Sequence, residues 1–394
     1  MTGRRRGCCP SLFEPMASGD GLLARVKPPL GRLSGEAARA LAAASRRWGN
    51  GQLELTNRAG LQVRGLSEAS LRRFQEAMLA AGLAHANPAV ERRRNLVVSP
   101  LASPAGLGLV IELERWIADD HTLAALPSKF GFAVEAPGGD IGVKPGAQNW
   151  GIRLEGCETE GLTAAPLAVV QAITHRFLAL AAESSEPPRR MAGLVRRLGP
   201  EALFAGTDAR LVAAGAPSPQ PPSRAGWLGS DGAFALGLPF GACTAEDLGL
   251  AADLAERFAD GGLRTSPWRA LVLAGVSDEA ALAAAALAAG FVVDPRDPRL
   301  SVIACTGAPA CASAHAAVRA DAAFIAAGGP RGLVHLSGCA KGCAHPAPAA
   351  FTLVAAADGY GLVREGRAAD PPQRRGLTLQ DALQLLAADP AEIP

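Results

Sequence analysis

The chain lies over itself when it is shifted by about two hundred residues, and this constrains its fold more than any other feature. Gly21-Leu-Leu-Ala-Arg-Val-Lys-Pro28 falls on Gly232-Ala-Phe-Ala-Leu-Gly-Leu-Pro239. Each stretch alternates like a strand and breaks at proline. A hydroxyl residue follows, Ser34 or Thr244, suited to cap the Ala/Leu-rich helical stretch after it. Next, Leu53 to Leu66 falls on Leu263 to Val276, and a second helical stretch follows each copy. Strand, helix, strand, helix is the order of a small α+β unit.

The pairing extends further. Arg94-Asn-Leu-Val-Val-Ser99 falls on Arg299-Leu-Ser-Val-Ile-Ala304, two short apolar strands leading into loops. Leu126-Pro-Ser-Lys-Phe130 falls on Leu336-Ser-Gly-Cys-Ala340. The chain therefore reads as four modules in A-B-A′-B′ order. The expected divisions are 7–85, 86–214, a Pro-rich linker at 215–224, then 225–292 and 293–394. A Pro-containing turn from Ser184 to Arg190 is expected to end a helix of the first large module. Chance similarity in an Ala-rich chain is the competing account, but Gly, Pro, Ser/Thr and strand positions all recur in register.

A length of 394 residues, 49% of them hydrophobic, allows more than one packed core. The net charge of +2 gives no reason to expect a nucleic-acid partner. Only Lys27, Lys129, Lys144 and Lys341 are lysines, so each merits inspection. No apolar run is long enough to span a membrane, and the basic start lacks the apolar stretch of a signal peptide. The expectation is a soluble, cytoplasmic protein.

Eight cysteines in such a chain point to metal or redox chemistry rather than a disulfide framework. Cys8, Cys9, Cys157 and Cys243 stand apart. Cys305-x5-Cys311 and Cys339-x3-Cys343 sit where strands are expected to end in Gly/Pro loops. An iron–sulfur cubane needs four thiolates converging from loops able to bend around it, and the small residues between these cysteines permit that. Structural zinc prefers shorter knuckles, so the x5 gap suits it poorly. Buried structural cysteines are the remaining alternative. No Gly-x-Gly-x-x-Gly fingerprint follows a strand, so electrons are expected to arrive from a partner reductase or ferredoxin.

The paired cysteine motifs behind a doubled half-domain resemble the sirohaem-dependent sulfite and nitrite reductases. Thr56-Asn-Arg-Ala-Gly-Leu-Gln62 is similar to a Thr-x-Arg-x-x-x-Gln element of that superfamily. Within it the chain most resembles the precorrin-3B synthases. The resemblance rests on Cys9-Pro-Ser-Leu, Pro15 to Leu23, Pro127 to Phe132, Ala304 to Ala314 and Ser337 to Pro346. It implies an α+β fold: a tandem ferredoxin-like half-domain, with a nitrite/sulfite-reductase-type α/β domain attached to each copy. It also implies a tetrapyrrole cleft floored by a 4Fe-4S cluster on Cys305, Cys311, Cys339 and Cys343.

Such a cleft needs cations for the ring's carboxylates. By the resemblance Arg58 and Arg94 are pocket arginines, and Lys129 is the first lysine of a Lys-x-Lys clamp whose second place is Gly131. A small oxyanion undergoing reduction needs dense positive charge, so the missing lysine argues against sulfite or nitrite. The repeat mate of Arg58 is Trp268, so only one copy carries this arginine. The resemblance implies hydroxylation of precorrin-3A at C20 with lactone closure, using dioxygen and electrons traced indirectly to NADH. A mononuclear non-haem iron would need ligands such as His315, His335 or His345, each also readable as structural. Sirohaem is the other possible group. A sirohaem reductase and a non-catalytic cluster carrier are the competing functions.

Overall fold

The structure, a computed structural model, describes residues 10–214, 223–229 and 232–387. Cys8, Cys9 and most of the Pro-rich 215–224 stretch lie outside the described residues. The first half-domain contains β1 (Met16–Ser18), β2 (Gly21–Val26), β3 (Arg32–Ser34), α1 (Gly35–Trp48), β4 (Gln52–Leu55), β5 (Leu61–Leu66) and α2 (Glu68–Ala80). A larger module follows. It holds α3 (Pro88–Arg93), β6 (Leu96–Val98), α4 (Pro104–Asp119), β7 (Phe132–Val134), β8 (Ile141–Pro145), β9 (Trp150–Leu154), β10 (Thr159–Thr163), α5 (Pro166–Ala182), α6 (Met191–Phe204) and β11 (Arg210–Ala213). The second half-domain has β12 (Gly226–Trp227), β13 (Ala233–Gly237), β14 (Ala242–Thr244), α7 (Ala245–Phe258), β15 (Gly262–Thr265), β16 (Ala270–Ala274) and α8 (Glu279–Ala288). The last module comprises β17 (Val302–Ala304), α9 (Val318–Ala327), β18 (Val334–Ser337), β19 (Ala349–Ala356), β20 (Gly359–Gly366), β21 (Arg374–Leu377) and α10 (Leu379–Ala387).

The duplication is written into the backbone. Left-handed residues recur as Leu30/Phe240, Gly31/Gly241, Gly51/Gly261, Ala59/Arg269 and Gly65/Gly275, each pair 210 positions apart. Ser34 accepts the N–H of Ala37 to cap α1, and Thr244 accepts that of Asp247 to cap α7. The two sheets run β1-β2-β5-β4-β14 and β12-β13-β16-β15-β3. Each half-domain therefore lends a strand to the other: Cys243 pairs with Leu53, and Leu263 with Leu33. The helices of both halves share one core, with Leu41, Phe74, Leu248 and Leu282 fully buried in it.

The free faces of the two sheets differ. Alternation on β2 sends Leu22, Ala24 and Val26 into the core and Arg25 to the opposite face. That face turns toward the last module. On the second sheet Ala233, Ala235, Ala270 and Val272 form an apolar face that packs with Leu101 of the first large module. Both large modules begin with three parallel strands and finish with antiparallel ones. Ligand sites in such sheets lie outside the carboxyl ends of parallel strands.

Two expected pairings change. The first strands slide by one residue, so that Arg25 matches Ala235 and Pro29, not Pro28, matches Pro239. Leu126 to Phe130 leads into β7, whereas Leu336 and Ser337 end β18 and Cys339 leaves it. Both β7 and β18 are second strands of their sheets, so the loop carrying Lys129 is not the mate of the loop carrying Cys339. Among the described residues no helix is long and apolar enough to cross a membrane.

Candidate functional site

The two cysteine pairs occupy the loops after β17 and β18, at adjacent carboxyl ends of parallel strands. The backbone stitches these loops together: His315 N–H donates to Gly338 O at 2.9 Å, and Gly338 N–H donates to Cys305 Sγ at 3.2 Å. Gly307 has φ of 74°, and a Cβ there would lie 2.5 Å from Val318 N. A Cβ on Gly338 would meet that of Ala314 at 2.6 Å. Only glycine allows both turns to close.

Cys305, Cys311, Cys339 and Cys343 are all free thiols. Burial raises the pKa of Cys305, with Cys311 and Cys339 adding to it; Cys343 is raised by burial and by the other three. The four sulfurs thus lie within electrostatic reach of one another. Four thiols together, with a main-chain N–H aimed at one sulfur, fit an iron–sulfur cubane. Among the described residues no three His, Cys, Asp or Glu side chains gather closely enough to hold a single metal ion. His335 is fully buried beneath these loops, its ring 5.7 Å from that of His345, and burial pushes it down to about 4. His315 is exposed.

The polar face of the first sheet clamps these loops. Arg64 chelates Asp20 at 2.9 and 3.0 Å and donates to Ser18 Oγ at 2.7 Å and to Ala310 O at 2.9 Å. Ser18 Oγ and Gly19 N–H donate to the same carbonyl, which lies between Cys305 and Cys311. Glu54 Oε1 accepts from Arg319 at 2.6 Å and from Thr306, the neighbour of Cys305. With the Gln62 amide oriented to satisfy both neighbours, it donates to Glu54 Oε2 at 3.0 Å and accepts from Arg25 at 3.2 Å. A hydrogen-bonded chain therefore runs from Arg25 to the cysteine loop.

Arg25 also lines an open hollow of about 360 Å³, with Lys27, Arg58, Asn95, Gly131 and Phe132. Thr56 Oγ1 accepts the N–H groups of Arg58 and Gly60, both at 3.3 Å, and fixes the turn that presents Arg58. Arg58 is half-buried and donates to Lys129 O at 3.2 Å. Lys129 offers its carbonyl there, while the residue itself is exposed and does not line the hollow. A Cβ at Gly131 would lie 2.8 Å from Asn95 O, so this wall has no room for a second clamp lysine.

Arg94 stands behind the wall rather than in it. It is buried, donates to Glu91 Oε2 at 3.1 and 2.9 Å, approaches Glu114 at 3.4 Å and holds Lys27 O at 2.6 Å. The structure thus brings Arg58 against the Lys129 backbone and sets the four thiols on two adjacent loops. It commits Arg94 to supporting Lys27.

Arg25, Lys27, Asn95, Glu54 and Arg64 are additions to the sequence reading. Period-two alternation along β2 was the available signal for the first two, whose repeat mates at the 210-residue offset are Ala235 and Gly237. Burial pushes Lys27 down to about 8 from an ordinary 10.5; Glu91 opposes this and Arg94 and Arg25 reinforce it. The unfolded chain holds more protons between those values, so stability should rise as pH climbs through this window and fall as pH drops through 8. Denaturant unfolding at about pH 7.5 and 9.5 should show a gain of about 1–2 kcal/mol that Lys27→Met lacks. Equal gains in both proteins would refute this assignment.

Comparison with known proteins supplies the context. A family model described as "Nitrite/Sulfite reductase ferredoxin-like half domain" matches twice, at residues 14–81 and 229–289. A precorrin-3B synthase from a Sinorhizobium species is 33% identical, across 93% of this chain and 84% of its own length. A ferredoxin–nitrite reductase from Synechococcus elongatus is 25% identical, across 87% of this chain and 78% of its own. In fold, the NirA protein of Mycobacterium tuberculosis superposes with a TM-score of 0.70 over 92% of this chain and 79% of that one, at 17% identity. The doubled half-domain and the full-length similarity together make this chain a member of the precorrin-3B synthase family, within the nitrite/sulfite reductase superfamily.

Proposed function

We propose that the chain oxygenates precorrin-3A in aerobic cobalamin biosynthesis, hydroxylating C20 and closing a lactone from the ring A acetate. The observation that carries this reading is the 33% identity to a named precorrin-3B synthase over 93% of the chain. The balance is that of a monooxygenase: one atom of dioxygen enters the product, and the other leaves as water with two electrons and two protons. Cys305, Cys311, Cys339 and Cys343 would hold a 4Fe-4S cluster, which supplies electrons singly.

The chain's own residues bind and orient. Arg58 and Arg25 offer guanidinium groups to the tetrapyrrole's carboxylates, a pairing that suits their planar forks. Lys27 adds a cation to the same hollow, and Arg94 positions it through the Lys27 carbonyl. Lys129 serves a carboxylate at the rim. The working divisions remain 7–85, 86–214, 225–292 and 293–394 around the linker. A cytoplasmic location suits reduced thiols.

The nitrite-reductase relative favours a second reading, a sirohaem reductase acting on a small oxyanion. Crowding at Gly131, which denies that reading its second lysine, weighs against it. Anaerobically purified protein given precorrin-3A, a ferredoxin or flavin reductase system, NADH and labelled dioxygen should form product carrying one labelled oxygen atom. NADH without the partner should support little turnover. Reduction of sulfite or nitrite with no precorrin oxygenation, together with a sirohaem absorbance band, would overturn the proposal in favour of the second reading.

A further inference from the structure

The second half of the chain has a hollow of its own, about 240 Å³, where the duplication places the counterpart of the first. Leu238 and Trp268 line it; Trp268 stands where the first copy has Arg58, and the mate of Lys27 is Gly237. By those two positions alone it would be a vestige. Yet Arg224, Arg269 and Arg299 line it as well, and the cationic residue of the turn has moved by one place, from Arg58 in the first copy to Arg269 in the second.

Arg224 has no carboxylate partner among the described residues, and Arg269 has no ion pair, only the more distant field of Glu54. Arg299 is paired with Asp297 at 2.7 Å. Arg224 makes no hydrogen bond or ion pair with any described residue, and burial holds its guanidinium below the ordinary range. Arg269 donates to Ala344 O at 2.6 Å and is depressed by burial and then by Arg224. Withdrawing two like charges from water side by side is costly unless an anion joins them. The backbone is shaped to keep Arg269 there. It holds a left-handed φ of 62°, and a Cβ on Gly241 would lie 2.6 Å from its Cδ. Around the cations, Trp268, Phe240 and Val302 supply apolar surface.

We propose that this hollow binds a small organic or inorganic oxyanion, a carboxylate or phosphate group held between Arg224 and Arg269. Paired guanidinium forks match the geometry of either group. Because Arg269 also grips the carbonyl next to Cys343, occupancy would reach the cysteine loop through that one side chain. The proposal does not depend on the reaction assigned to the first hollow.

Calorimetric titration of the full chain at fixed ionic strength, with sodium phosphate and separately with sodium succinate, tests it. One site should appear for at least one probe, and the tighter of the two identifies the group. Arg224→Gln should weaken that site at least about tenfold. Its melting temperature without ligand should stay level or rise, since it removes an unpaired buried charge. Arg58→Leu should bind the same probe as the native chain does, which separates this hollow from the first. Absence of binding by both probes, undiminished binding by Arg224→Gln, or loss of the site in Arg58→Leu would each overturn the proposal.

Discussion

Replacing any one of Cys305, Cys311, Cys339 or Cys343 with Ala should abolish the broad visible absorbance and the reduced-state paramagnetic signal of the protein. The four thiols of the two loops act as a set, because a cubane with one ligand missing loses both a bond and the local charge balance. Iron and sulfide should fall together in each variant. The same change at Cys157 or Cys243 should leave both at native levels. Cys157 is turned toward Thr159 Oγ1 at 2.9 Å. Cys243 lies buried on β14, its thiol pushed up to about 12 by burial and the carboxylates nearby. Unchanged iron and sulfide in all four loop variants would remove the cluster from these residues.

Arg58→Leu should weaken precorrin-3A binding by roughly thirty- to thousandfold. This corresponds to about 2–4 kcal/mol for leaving a desolvated carboxylate without its guanidinium. The fold should hardly notice, since the side chain gives the scaffold one hydrogen bond, to Lys129 O. Equilibrium binding, the cluster spectrum and the melting temperature therefore separate two roles. Normal binding, or a collapse in melting temperature, would make Arg58 part of the framework.

Much of the architecture was legible because a duplication leaves its mark at positions where chemistry is strict. Left-handed glycines, helix-capping hydroxyls and strand-ending prolines tolerate few substitutes, so Gly31/Gly241 and Ser34/Thr244 survive divergence. Where the copies differ in loop length the register slid, and Lys129 was paired with the wrong loop. The placement of the cysteines on two strand-end loops was readable from spacing, because Cys305 to Cys311 and Cys339 to Cys343 are local in sequence. The clamp on Ala310 was not. Arg64 reaches it across 246 positions, and Glu54 reaches Thr306 across 252. The stretch Pro15 to Leu23 nonetheless stood out, and Ser18, Gly19 and Asp20 explain why: they belong to that clamp. Arg94 misled for a different reason. The resemblance puts it in the pocket, whereas its neighbour Glu91 draws it inward behind the wall.

The strand exchange between the half-domains has a consequence for synthesis on the ribosome. The edge of β4 is completed by β14, so the first sheet stays open from the time Leu55 emerges until Ala242 follows. At about 5–20 residues per second, that wait lasts on the order of 10–40 s. Throughout it the nascent chain presents unpaired amide and carbonyl groups that could pair with a neighbour on the same messenger. Gln52 and Glu54 sit on that edge, and their polarity tempers it. A gene cut between the halves would make this exposure permanent, and co-expressing the two fragments would be the remedy.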